Sequence, residues 1–314
     1  MPAAWLAVVL FVVGVALAIW ATEFFLDGIV NLATGLRLSA FVIGAVLSGL
    51  EVENVAVGLA AGAGHVAPVA LGTVYGGATF LVCVALGLGA IIAPLETRLP
   101  HGFLILFAVA PVVAGLGVLP PAPPRWIGGA LLLAFVGAMG YVVITARRKD
   151  FLLASQEVAE AQTKRYPLAL AVVLTLLGLI VLSVAGEMVA HGAEGIISAL
   201  GVPALLMGMV VAPAAIELEE VARQAIPALR GRSDVSAGNL VGTLLYFLLF
   251  NLGLIILLTP VRVTARMLTL DWPALVLVTW VATVFLWRGR VGRGAGFTLL
   301  GLYVIYIAAH IVLT

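Results

Sequence analysis

The sequence predicts an all-α polytopic membrane protein with ten transmembrane helices arranged as two inverted five-helix repeats. Three observations predict it. The chain holds more apolar surface than a soluble fold of its length can bury, its apolar runs are long enough to cross a bilayer, and a polar pattern recurs once along it.

The apolar excess comes first. Hydrophobic residues fill 63% of 314 positions, charged residues 10%, and the mean hydropathy is +1.23. Ordinary soluble domains carry about 45–50% apolar and about 25% charged residues. A bilayer removes the conflict, because lipid is itself an apolar partner. The 35 glycines and 15 prolines, unfavourable in soluble helices, are frequent in membrane spans. A net charge of +1 gives no bias toward nucleic acid or an acidic partner. The single cysteine, Cys83, excludes an internal disulfide and a thiolate metal cluster, and reads as a small buried hydrophobe. The N-terminal run has neither the charged n-region nor the cleavage site of a signal peptide, so it is expected to be a retained span.

Runs able to cross about 30 Å of hydrocarbon fall at approximately 4–21, 36–60, 69–93, 102–119, 126–146, 167–187, 198–226, 236–259, 272–287 and 296–313. Trp5, Trp20, Trp126, Trp272 and Trp287 sit near span ends as interfacial aromatics. Pro100, Pro120, Pro167, Pro260 and Pro273 punctuate the same ends, where a missing N–H does least harm. With ten spans, the odd-numbered loops share one side and hold 13 of the 16 basic residues, among them Arg98, Arg147, Arg148, Lys149, Arg223, Arg230, Arg232, Arg288, Arg290 and Arg293. Arg125, Arg262 and Arg266 fall on the other side. The positive-inside rule then places both termini outside the cytoplasm, in a multi-pass plasma-membrane protein. The polar stretch 147–166 is read as a cytoplasmic linker between repeats 1–146 and 167–314.

The halves correspond at an offset of 166 residues. Glu51-Val52-Glu53-Asn54 meets Glu217-Leu218-Glu219-Glu220, and Gly72-Thr73-Val74-Tyr75-Gly76-Gly77 meets Gly238-Asn239-Leu240-Val241-Gly242-Thr243. Five spans separate the copies, so the second enters the membrane from the opposite side, as in secondary transporters whose site lies at the repeat interface.

Carboxylates at membrane depth are costly and face a bundle interior or an aqueous path. Glu51 with Asn54, and Glu217 with Glu220, are three residues apart and share a helical face, whereas Glu53 and Glu219 point elsewhere unless the helix breaks. Pro213 favours such a break. Their oxygens suit hard cations, and the same groups can carry protons. On the following spans, Thr73 with Gly77 and Asn239 with Thr243 share a face; their oxygens complete a cation site or simply allow close helix packing. The Gly-x-x-x-Gly pairs read as packing devices. Glu23, Asp27, Glu187, His191 and Glu194 lie near interfaces, where charge is tolerated, and His191 and His310 read as solvated or packed. The chain has no His-Glu-x-x-His motif, phosphate loop or Ser/His/Asp arrangement, so no enzyme is expected.

These residues resemble the cation/calcium exchanger superfamily, in its ten-span prokaryotic form, over nearly the whole chain. Leu38-Ser39-Ala40-Phe41-Val42-Ile43-Gly44 and Val202-Pro203-Ala204-Leu205-Leu206-Met207-Gly208 look like the runs entering each signature repeat. Ala215-Ile216-Glu217-Leu218-Glu219-Glu220 stands where the family has Gly-Thr-Ser-x-Pro-Glu, which puts Glu220 at the ion-binding glutamate. Arg230-Gly231, Asp234, Gly238-Asn239 and Gly242-Thr243 resemble the connecting loop and next helix. The chain also departs from the pattern. Thr-Ser-x-Pro is absent from both copies, and Asn54 or Glu53 takes the first repeat's glutamate position. The family's Gly-Ser-Asn-x-x-Asn becomes Gly76-Gly77-Ala78-Thr79-Phe80-Leu81 and Gly242-Thr243-Leu244-Leu245-Tyr246-Phe247. Several side-chain oxygens used for calcium and sodium are thus replaced.

The resemblance implies a secondary antiporter in the bilayer. It would move Ca²⁺ or another divalent cation against Na⁺ or H⁺ by alternating access, with no prosthetic cofactor and no nucleic-acid partner. A cation channel would use the same carboxylates. A non-transporting or sensory relative predicts a cavity sealed by Tyr75 and Tyr246, with the glutamates paired to protein donors.

Overall fold

The computed structural model describes residues 2–36, 67–148, 166–199 and 218–312. Helix α1 is Pro2–Leu36, and α2 runs as Ala67–Phe80, a π-helical turn Leu81–Ala85, then Leu86–Ile92. Strand β1 is Leu95–Glu96; α3 is His101–Ala114, closed by a 3₁₀ turn at Gly115–Gly117; α4 is Arg125–Arg148. Then follow α5, Leu168–Ala199; α6, Leu218–Leu229; and α7, Ser233–Leu245 with a π-helical turn Tyr246–Asn251 leading into Leu252–Leu258. A π-helical turn Met267–Asp271 opens α8, Trp272–Trp287, and β2, Arg290–Val291, precedes α9, Arg293–Val312.

Among the described residues, five helices are long and apolar enough to cross a membrane: Val74–Ile92, Arg125–Thr145, Ser233–Leu258, Met267–Trp287 and Arg293–Val312. They match the third, fifth, eighth, ninth and tenth expected spans. Shorter apolar helices, Trp5–Gly14, His101–Gly117 and Leu168–Gly178, fall in the first, fourth and sixth. The second span, and the seventh before Leu218, lie outside the described residues. Outward faces are apolar, as lipid requires: Leu133 is 76% exposed while Leu131, two residues away, is fully buried.

Two expected spans prove too short. α1 has 35 residues and α5 has 32, so at 1.5 Å per residue they reach roughly 50 Å. The expected boundaries stopped at 21, just before Glu23, and at Glu187, but near an interface an acidic residue does not end a helix, and Glu187 and His191 are exposed. The two helices pack on each other through glycines. A Cβ on Gly178 would come 2.9 Å from the Phe25 backbone, and one on Gly192 2.5 Å from the Phe11 amide nitrogen.

The chain is also not wholly helical. β1 and β2 pair antiparallel, Leu95 opposite Val291 and Glu96 opposite Arg290. The Thr97 amide donates to the Gly289 carbonyl at 3.1 Å, and the Glu96 amide donates to Ser233 Oγ at 3.3 Å. Gly289, at φ 76°, makes the turn that feeds β2. The segments carrying Arg98, Arg232, Arg288 and Arg290 therefore meet at one end. The Val263 amide donates to the Pro121 carbonyl at 2.9 Å, which joins the segments that hold Arg125 and Arg262. This is the grouping of loops that the span count predicts.

α2 and α7 match element by element. Both ends are displaced by 166 residues, from 67 to 233 and from 92 to 258, and the π turns end at 85 and 251. Just past each π turn a glycine meets a helix from the other half of the chain. A Cβ on Gly296 of α9 would lie 2.5 Å from the Gly87 carbonyl oxygen, and one on Gly128 of α4 2.5 Å from the Gly253 carbonyl oxygen. Such backbone proximity is how membrane helices pack without a hydrophobic drive. Of the Gly-x-x-x-Gly pairs expected to pack, Gly72/Gly76 and Gly238/Gly242, an added Cβ at Gly72 or Gly76 meets nothing among the described residues.

Candidate cation site

Glu220 lies in the first turn of α6 and is fully buried. Its Oε1 accepts from Arg223 Nη1 at 2.6 Å, and its Oε2 accepts from Asn239 Nδ2 of α7 at 2.7 Å. Residues i and i+3 share a helical face, so the sequence itself aims Arg223 at Glu220. Arg223 is 2% exposed. Charge-assisted bonds of this length are the strong class, and a buried charge persists only when matched in this way.

The neighbouring polar groups are buried as well. Gln224 follows Arg223, and its backbone carbonyl accepts from Ser236 Oγ of α7 at 2.8 Å. α2 approaches on the other side, where a Cβ on Gly89 would lie 2.9 Å from Gln224 Cβ. The Gln224 amide, Asn239 Oδ1, Thr243 Oγ1 and both amide atoms of Asn251 are buried without a hydrogen-bond partner among the described residues. Asn239 and Thr243 are one turn apart on α7 and share one of its faces, with Asn239 the member that touches Glu220.

Of the nine residues expected to hold a cation, the structure brings together Glu220 and Asn239, with Thr243 one turn further along α7. Glu51, Glu53, Asn54 and Glu217 lie outside the described residues. Glu219 sits on α6 and Thr73 on α2, with side chains outside the described set. Among the described residues no group of three or more His, Cys, Asp or Glu assembles that holds a metal. Ala78, Leu81, Leu244 and Phe247, which stand where the exchanger motif has asparagine, are all buried.

One expectation is overturned. Arg223 was grouped with the loop arginines that mark orientation, but it is buried against Glu220. Its i+3 spacing from the glutamate was the available signal. Gln224 and Asn251 were also overlooked, since single amides in apolar runs carry no motif. A further cluster went unread: Asp271 Oδ1 accepts from Tyr306 Oη at 2.8 Å and lies 2.7 Å from His310 Nε2. His310 is thus packed, as expected, but against a carboxylate. Trp272, expected at the interface, is half-buried over Gly115 and donates Nε1 to the Pro111 carbonyl at 2.8 Å.

The two aromatic positions are closed. Tyr75 is 1% exposed and its hydroxyl donates to the Ala114 carbonyl at 2.7 Å. Tyr246 is buried against Phe135, with ring centroids 4.6 Å apart, and against Phe250 at 5.7 Å.

Apolar helices with lipid-facing exteriors, enclosing a buried carboxylate bound to amide and guanidinium groups, define an integral membrane protein of the ion-transport class. The sequence profile of the sodium/calcium exchanger protein family matches residues 6–144 and 170–312, and the chain belongs to that family. It is 25% identical over 313 residues to the inner membrane protein YrbG of Escherichia coli K12, covering 96% of each chain. It is 26% identical over 261 residues to a putative antiporter, CaxA, of Alkalimonas amylolytica, covering 81% of each. The sodium-calcium exchanger NCX_Mj, solved with Na⁺ and Sr²⁺, has the same fold at a TM-score of 0.79 and 22% identity, over 96% of this chain and 98% of that one. Members of this family are transporters rather than enzymes.

Proposed function

We propose that this protein is a secondary active antiporter that moves Ca²⁺ or another cation across the plasma membrane against Na⁺ or H⁺. The observation that carries the reading is the buried Glu220 carboxylate of α6, bonded to Asn239 of α7 within a protein of the exchanger family. Ten spans form two inverted five-helix repeats, 1–146 and 167–314, joined by a cytoplasmic linker at 147–166, with both termini non-cytoplasmic. Support comes from the matched ends and π turns of α2 and α7, the reciprocal glycine contacts, and a family match that falls in two segments. The cation site combines Glu51, Glu53 or Asn54 with Glu217, Glu219, Glu220, Asn239 and Thr243, and Thr73 at its edge. Cation and competitor exchange there as each side of the membrane is exposed in turn. The names of the relatives agree with this class, and the changed motif positions leave the ion open to assay.

A second reading has specific support. Both Glu220 oxygens are engaged by protein donors, and Tyr75 and Tyr246 are closed by Ala114 and Phe135. The paired Glu220 is one feature expected of a non-transporting or sensory relative. Flux in proteoliposomes, with Na⁺ and pH gradients imposed separately and Ca²⁺ tested beside other divalent cations, separates the two. Gradient-coupled cation flux supports the antiporter, and the effective gradient names the coupling ion. No flux from folded, inserted protein supports the second reading.

A further inference from the structure

We infer that Arg223 is a tethered cation, occupying the Glu220 carboxylate in place of a mobile ion and setting which cations that half of the site admits. The inference rests on Glu220 belonging to the cation site proposed above.

The guanidinium sets a fixed positive charge directly against the Glu220 carboxylate. It meets Oε1 at 2.6 Å, both side chains are at most 1% exposed, and the short i+3 tether holds it on the same face of α6. A carboxylate with a full positive charge at that distance forms a neutral pair. A divalent cation entering beside it would set two further positive charges against a buried guanidinium, which is strongly unfavourable. An incoming cation therefore gains Glu220 as a ligand only by displacing Arg223.

The surroundings point the same way. Asn239 gives its amide N–H to Glu220, which turns its Oδ1 outward, and that oxygen and Thr243 Oγ1 are buried without partners among the described residues. Buried polar atoms in this state call for a partner. Together with a vacated Glu220 they make an oxygen-rich set for a hard cation. With Arg223 in place, Glu220 is held away from joining Asn239 Oδ1 and Thr243 Oγ1 around a cation. Arginine carries its charge at every physiological pH, so deprotonation does not release Glu220. Release requires movement of the side chain.

The test is equilibrium binding of radiolabelled Ca²⁺ to purified protein, with Arg223→Gln, Arg223→Lys and the Glu220→Gln/Arg223→Gln pair compared with the wild type. Arg223→Gln is expected to tighten Ca²⁺ binding by about tenfold or more, and the double variant to return to the wild-type level. Arg223→Lys keeps the charge but loses the planar fork; it is expected to tighten binding less, in the same direction, and serves if the glutamine variant does not fold. Unchanged or weaker binding in both single variants overturns the inference. So does a gain in Arg223→Gln that survives Glu220→Gln, since the new affinity then lies elsewhere. Flux on the same samples reports on the antiporter reading separately. Wild-type flux without a gain in Arg223→Gln retains the antiporter and rejects the tethered cation. A gain in binding with no flux does the reverse.

Discussion

Helices α2 and α7 begin and end 166 residues apart, turn through π geometry at matching places, and each set a glycine against a helix from the other half of the chain. Their buried polar groups differ. On α2, the Tyr75 hydroxyl is bonded to the Ala114 carbonyl, and Thr79 Oγ1 to the Tyr75 carbonyl at 2.7 Å. On α7, Asn239 reaches across to Glu220, while Thr243 Oγ1 and the Asn251 amide have no partner among the described residues. Backbone symmetry here depends on small residues and helix geometry, which tolerate wide changes elsewhere. Ion chemistry depends on a few oxygens, and α7 supplies two of them, Asn239 Oδ1 and Thr243 Oγ1, that have no partner among the described residues.

The comparison is broken most severely at its charged end. Glu220→Ala removes the carboxylate that matches Arg223 and is expected to destabilise the protein by about 3–5 kcal/mol. Thermal unfolding in detergent reads this as a lowered Tm, which Glu220→Gln/Arg223→Gln largely restores.

The symmetric contacts come next. Gly128→Ala drives a methyl against the Gly253 carbonyl and the Leu257 backbone, none of which is free to swing aside, and is expected to cost about 1–3 kcal/mol. Gly87→Ala, whose methyl would lie 3.2 Å from the Gly296 carbonyl oxygen, is expected to cost less. Equal losses in the same unfolding assay would show that the two contacts are interchangeable.

The hydroxyl pair sharpens the contrast. Tyr75→Phe removes a satisfied bond and should lower stability by about 1 kcal/mol. Thr243→Val removes a buried oxygen that has no described partner, so without cation it should be neutral or slightly stabilising. Any cation-induced rise in Tm should be smaller in Thr243→Val than in wild type. The smallest effect is expected at the ribbon. Glu96→Gln breaks an ion pair with Arg290 whose side chains are both about two-thirds exposed, and should change stability by under about 1 kcal/mol.

Much of this organisation was legible from the residues. Apolar length and loop charge located the described spans, because lipid imposes the same requirement on every crossing. Segments read as facing one side, such as those around Arg98 and Arg290, are joined by hydrogen bonds. The extensions of α1 and α5 were missed because Glu23 and Glu187 look like span ends in sequence, although helices continue through an interface. At the site, Glu220 and Asn239 were both named from the sequence, but the amide–carboxylate bond between them is a finding of the structure. Arg223 was not read as part of the site, because loop arginines and buried arginines look alike until the partner is in place. The same holds for Asp271, whose partners Tyr306 and His310 lie on another helix.

The π turns set the rotational phase of the helices that carry them. An α-helix advances about 100° per residue, and a π turn accommodates an extra residue without adding that rotation to the helix beyond it. Everything after Ala85 and after Asn251 is therefore set to a different phase from what comes before. Gly87 and Gly253 lie just inside the re-phased stretch. Winding either π turn into α geometry with all its residues kept would leave an ordinary helix of unchanged hydropathy but turn its far half round by about 100°. The glycine would leave its contact and a bulkier neighbour would take its place. Helix–helix fit on both sides of the molecule is thus tuned by a single surplus residue, at a position that neither composition nor hydrophobic length reveals.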